Sequence, residues 1–310
     1  MLGRRSFLAA ACSGAAALIL PGCALAPAGD PTIAPAPTPT PLAGQAGLTA
    51  LRTVLERARR SAWPAPQAQV VAWALGVTAD QLVTVSLPSP SPLAAPTASP
   101  SPGTTAEPDA VAALADAFAT AGDAFRTQAL DADTARPHVW AAMAAWAAVV
   151  AGLWAAPAAS LEPARAVLDP PPQSGSDALQ GALDAAAEAA YGLQEVAGTV
   201  GLGAEEVAAL QARIAAWHGL RDALLDAVGP TPTPEPSPGR PWYDLDRPGD
   251  PEAARTLAAK LEAATLPILG RSIAHGPAAI REVVVDALAA AAAQGPRWGG
   301  LVERWPGLPL

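Results

Sequence analysis

The 310-residue sequence is poor in the side chains from which most metal and catalytic centres are built. Its two cysteines, Cys12 and Cys23, both fall near the N-terminus, so the chain beyond them can form no internal disulfide and offers no thiolate ligand. There are three histidines, His138, His218 and His275, and no glutamate stands three residues before any of them. A carboxylate-bridged di-metal site in a helical bundle needs a Glu from each of two helices and a Glu-x-x-His from each of the other two, so none can be assembled. No cofactor is expected. Lysine occurs once, at Lys260, and the net charge is −9. Proteins that grip a phosphate backbone gather Lys and Arg on one face, which excludes nucleic acid as a partner.

What is present begins with export. Arg4-Arg5-Ser6-Phe7-Leu8 precedes a short apolar stretch that ends at Leu20-Pro21-Gly22-Cys23. An apolar segment of this length behind two arginines is a secretory signal rather than a membrane span. The paired arginines resemble a twin-arginine export signal, and Leu-Pro-Gly-Cys resembles a bacterial lipobox. The resemblance implies cleavage of residues 1–22 and acylation of Cys23, with membrane lipid as the partner of the anchor. Two or more acyl chains hold a protein stably, at about 0.8 kcal/mol per buried methylene. The expected location is the extracytoplasmic face of the cell membrane.

The 35 prolines are unevenly spread, and 16 of them collect in 31–41, 88–102 and 230–238, where Thr, Ser and Ala fill most of the gaps. Such segments bury little apolar surface and favour extended polyproline conformation. Residues 23–44 read as the lipidated cysteine and a stalk that can reach about 60 Å at 3.1 Å per residue.

Elsewhere the apolar period is helical, and the expected class is all-α, with two helical bundles. In residues 45–170, helices are expected at 46–62, 67–86 with a break near Gly76, 109–130 and 137–156, around a Pro/Ser-rich insertion at 88–106. Leu48, Leu51, Leu55 and Ala58 form one stripe, and Leu114, Phe118, Ala121 and Phe125 another. Residues 139–156 carry no charge and approach the ~20 needed to span a bilayer. Half of them are alanine, however, and the tryptophans are spread along the run rather than gathered at its ends, so burial inside a bundle is expected. In residues 174–310 the pattern is helix pair, Pro-rich crossover at 229–249, helix pair, the order of a four-helix bundle with one long crossover. The first pair covers 176–199, with Leu179, Leu183, Ala186, Ala190 and Leu193 inward, and 204–228, with Val207, Leu210, Ile214, Trp217, Leu224 and Val228 inward. Asp250-Pro251-Glu252 starts the third helix, which Pro267 should bend or shorten. The fourth covers 278–294.

LQGALDAAAEAAYG, RDALLDAVG, DPEAARTLAAKLEAA, Arg297-Trp298 and the terminal Trp305-Pro306-Gly307-Leu308-Pro309 occur in that order. In this, residues 176–309 resemble the actinobacterial ferritin-like domain family of unknown function. The resemblance implies Glu-His in the middle of the first helix and a His four residues before an Arg in the second. Here those positions hold Ala186-Ala187 and Trp217, while Arg221, Asp222 and the Leu261-Glu262 pair match.

Arg221 falls on the stripe of the second helix, between Trp217 and Leu224. A charge there must snorkel into water or find a buried partner, with Glu262, Asp184 and Asp286 as candidates. His218 and Asp222, four apart, read as a surface pair. The sequence thus points to a lipid-anchored envelope protein whose bundle is a structural or binding module, with an envelope protein as a possible partner. The alternative is a metal-dependent or small-ligand enzyme with its site between the two halves, for example His138 or His275 meeting carboxylates.

Overall fold

A computed structural model describes residues 42–85, 108–154, 160–165, 167–229, 243 and 245–309. Arg4, Arg5, Cys23, the stalk to residue 41, the insertion 88–106 and most of the crossover 229–249 lie outside the described residues. Residues Pro41–Leu310 form one compact unit. The protein is all-α. Its helices are α1 (Ala43–Ala58), α2 (Ala65–Val85), α3 (Pro108–Leu130), α4 (Pro137–Leu153), α5 (Gly175–Ala197), α6 (Ala204–Val228), α7 (Pro251–His275) and α8 (Arg281–Arg297). Two short strands, β1 (Ser160–Leu161) and β2 (Leu301–Val302), pair in parallel.

In the first group α3 packs between α1 and α4. The expected stripes of α1 and α3 are buried as read. Gly44 is required in the first turn of α1, because a Cβ there would collide with the Trp140 ring. Helix α4 also packs on α7 and α8. Of its 17 residues, 14 are buried, which explains an uncharged run without a membrane. Trp146 is fully buried, 5.3 Å from Phe118 and 6.3 Å from Trp73 between ring centroids. Truncating an aromatic so placed costs about 3–5 kcal/mol. Helix α2 runs through Gly76 without the expected break. By length and composition it is the one helix among the described residues able to cross a membrane, but Val70, Val71, Ala74 and Val77 on it belong to the core.

In the second group α5 packs against α6 and α7, and α8 packs against α7 and more lightly α6. Ser174 caps α5 by accepting from Asp177 N–H at 3.1 Å, and Asp250 caps α7 by accepting from Ala253 N–H at 2.8 Å. Helix α7 continues through Pro267 rather than ending there. The contact of Ser272 with Ala178 and that of Leu261 with Gly192 make α5 and α7 antiparallel. Arg255 meets Glu206 and Arg213 meets Glu262, so α6 and α7 run parallel. Parallel neighbours cannot be joined by a tight turn, which is why a long crossover separates them.

Candidate functional site

The centre of the α5–α8 bundle is occupied by an ion pair. Arg213 donates from Nε to Glu262 Oε1 at 2.7 Å and from Nη2 to Oε2 at 2.9 Å. Trp217 Nε1 donates to Glu262 Oε1 at 3.3 Å, and the Arg213 guanidinium lies 4.2 Å over the Trp217 ring. Glu262 is 0% exposed and Arg213 8%. The expected pairing of Arg221 with Glu262 is corrected here: Arg221 is exposed, and Arg213, two turns earlier on the same helix, takes its place. At about 100° per residue, Arg213 and Arg221 flank Trp217 at about 40° to opposite sides. Packing turned the Arg213 side inward, so that Leu210, Arg213, Trp217, Leu220 and Leu224 are the buried set.

This centre does not suit a di-metal ion pair. Ala186 faces inward where the family resemblance implied a ligand, Glu188 is exposed, and the carboxylate of Glu262 is already neutralised by a guanidinium. Among the described residues no three His, Cys, Asp or Glu side chains are placed to hold a metal ion. His218 and Asp222 are both exposed.

A second polar cluster lies at the N-terminus of α4. His138 Nε2 is 3.2 Å from Asp169 Oδ1, and Arg136 Nη2 donates to the same oxygen at 2.5 Å. Burial lowers the pKa of His138, against the opposing pull of Asp169, and the charges of Arg136 and His275 lower it further. The Arg136 hydrogen bond lowers the pKa of Asp169. His138 therefore does meet a carboxylate, but His275 brings none of its own, and Asp169 is the one hydrogen-bond partner of His138 among the described residues. The arrangement orients an imidazole without supplying a nucleophile.

The third feature was not expected from the sequence. The segment that leaves α4 and the C-terminal tail are clasped together, β1 to β2, with Glu162 N–H donating to Val302 O at 3.0 Å. Glu162 accepts from Arg304 N–H at 2.5 Å and from Arg165 Nε at 2.6 Å. Arg165 also donates to the carbonyls of Trp305, Leu308 and Pro309. From α2, Trp73 Nε1 donates to Glu162 O at 2.7 Å, and Asp80 pairs with the Arg304 guanidinium. The tail lies so close to α7 that a Cβ on Gly270 would collide with the Gly307 carbonyl oxygen, and Gly307 itself has φ +86°.

Beneath the tail is a cavity of about 40 Å³ lined by Val149 of α4, Ala263 and Leu266 of α7, Ala292 and Gly295 of α8, and Glu303. Burial pushes the Glu303 carboxyl up to about 7; the nearby Glu162 charge adds to this and Arg165 opposes it. Glu303 makes no hydrogen bond or ion pair among the described residues. In the sequence it stands in a Gly/Trp/Pro/Leu-rich tail with no periodic signal, and only the tail's contact with α7 and α8 reveals it.

Residues 178–310 match the family model described as Domain of unknown function (DUF4439), which agrees with the region over which the resemblance was read. No curated protein and no solved structure matches the chain.

Proposed function

We propose that this chain is an envelope protein anchored by acylated Cys23 on the outer face of the cell membrane, with a ferritin-like bundle that serves as a structural or binding module. The observation that carries the second part is the Arg213–Glu262 pair. A guanidinium bonded to both carboxylate oxygens, with the Trp217 N–H on one of them, neutralises Glu262 and sets a fixed positive charge against any metal cation there. The parallel run of α6 and α7 supports the ferritin-like reading, since that order of helices demands a crossover. A small-ligand site between the two halves is a second reading, favoured by a cavity to which α4, α7, α8 and the tail all contribute.

Two measurements test the proposal. Metal analysis of the chain from residue 24, grown with iron, manganese and zinc and purified without chelator, should find less than about a tenth of a metal per chain; one or two tightly held ions would overturn the module reading. Fractionation of cells carrying Cys23→Ala should move the protein out of the membrane pellet and abolish palmitate labelling. Unchanged partition would end the anchoring claim.

A further inference from the structure

The cavity beneath the C-terminal tail is apolar, opens to solvent past Ala263 and Leu301, and carries a single ionisable group among the described residues. Its walls are Val, Ala, Leu, Gly and Pro side chains or backbone, and Glu303 is the one carboxyl on it. Gly295 is buried, yet a Cβ there would meet no heavy atom within 4 Å, which shows the hollow from the α8 side. The charged groups nearest Glu303 are already committed. Arg165 is bound to Glu162 and three tail carbonyls, Glu162 is bound to Arg165 and the Arg304 amide, and the Arg304 guanidinium is bound to Asp80. Among the described residues Glu303, half-buried, has no counter-charge bonded to it, and an unpaired carboxylate in a largely apolar setting is costly.

The chemistry of an occupant follows from what the chamber offers. An anion would be repelled by Glu303. A neutral apolar molecule would leave the carboxyl unpaired. A hard metal cation needs several oxygen ligands, and these walls present one carboxylate among carbons. About 40 Å³ is roughly three water-sized positions, enough for an ammonium group and one or two carbons. We propose that this cavity binds the head of a small free primary alkylammonium ion, with Glu303 as its counter-ion and the alanine, leucine and valine walls covering its alkyl chain. The inference rests on the binding-module reading and gives that module a ligand class. Because the empty site holds a proton near neutrality, binding of R–NH₃⁺ expels that proton as the carboxylate forms, and affinity rises with pH.

The test uses ethylammonium chloride and the soluble chain from residue 24, which retains the whole compact unit Pro41–Leu310. Calorimetric and ¹³C-carboxyl NMR titrations should show saturable one-to-one binding that weakens about tenfold between pH 8 and pH 6, and propanol should not compete. Glu303→Gln should lose binding. Ala263→Leu, at an exposed lining position on α7 where leucine suits a helix, should lose it too by closing the chamber while keeping the carboxyl. Thermal melts confirm that both variants fold. Absence of saturable binding by the parent chain, or equal binding by Glu303→Gln, would overturn the inference. Either result leaves the metal analysis and the anchoring test unaffected, so the two readings fail separately.

Discussion

Arg213 and Glu262 are 49 residues apart in sequence and meet through two hydrogen bonds across the bundle, with the Trp217 ring beneath the guanidinium and its N–H on the carboxylate. Breaking such a pair strands a buried charge, so Arg213→Ala should cost about 3–5 kcal/mol in urea unfolding. Replacing both partners by apolar residues, as in Arg213→Met with Glu262→Leu, should recover most of the loss. Arg221→Ala, on the exposed flank, should stay within about 0.5 kcal/mol. Equal costs for Arg213→Ala and Arg221→Ala would contradict the assigned rotation of α6.

Glu303 makes stability fall as pH rises. Its folded pKa is raised from 4.5 to about 7, so between those values the folded chain keeps a proton that the unfolded chain has released. The penalty grows across that window and is complete above pH 7, reaching up to about 3 kcal/mol. Glu303→Gln should therefore be more stable than the parent at pH 8 and nearly equal to it at pH 4.5. A stability difference that does not vary with pH would remove Glu303 as the cause.

His138 acts in the opposite sense. Its folded pKa is depressed below the ordinary 6.5 by burial, so the stability it contributes is present above pH 6.5 and is lost as pH falls through the folded value. Imidazole resonances followed by ¹H–¹⁵N NMR should show His138 neutral below pH 6.5. Asp169→Asn, which removes the hydrogen bond that favours the charged ring, should lower its pKa further. A rise in that variant would show that Asp169 does not act on His138 as the geometry requires.

Two glycines within helices should respond in opposite directions to alanine. At Gly270 the new methyl would meet the carbonyl oxygen of Gly307, and the tail must shift; overpacking of this kind costs about 1–3 kcal/mol or more. At Gly219, exposed on α6 with nothing within 4 Å, alanine should stabilise by about 1 kcal/mol through helix propensity. Thermal unfolding of the two variants decides the matter, and a stable Gly270→Ala would mean that the tail does not press on α7.

The helix positions were legible because the signals that set them are local. Asp250 and Pro251 mark a helix start by the backbone N–H groups they satisfy or do without, and the period of Leu48, Leu51, Leu55 and Ala58 needs no partner to be seen. Ala-rich helices make rotation harder to read. In α6 the ridge of Leu210, Trp217 and Leu224 can be flanked by Ile214 and Arg221 or by Arg213 and Leu220, and the apolar residues weigh both sides nearly alike. In α7 Ala264 is exposed while Ala258 and Thr265 are buried, a choice between faces that alanine and threonine do not signal.

The sequence by itself determined an all-α chain and the burial of the uncharged run along α4. These follow from composition and from contacts within a helix turn. Tertiary structure alone decided that Glu262 is paired with Arg213, that Arg165 holds the tail by its carbonyls, and that Glu303, unpaired among the described residues, lies on a cavity. Each of those depends on groups brought together from distant parts of the chain, and on how much water their packing removes. Neither quantity is encoded in the spacing of residues along one helix.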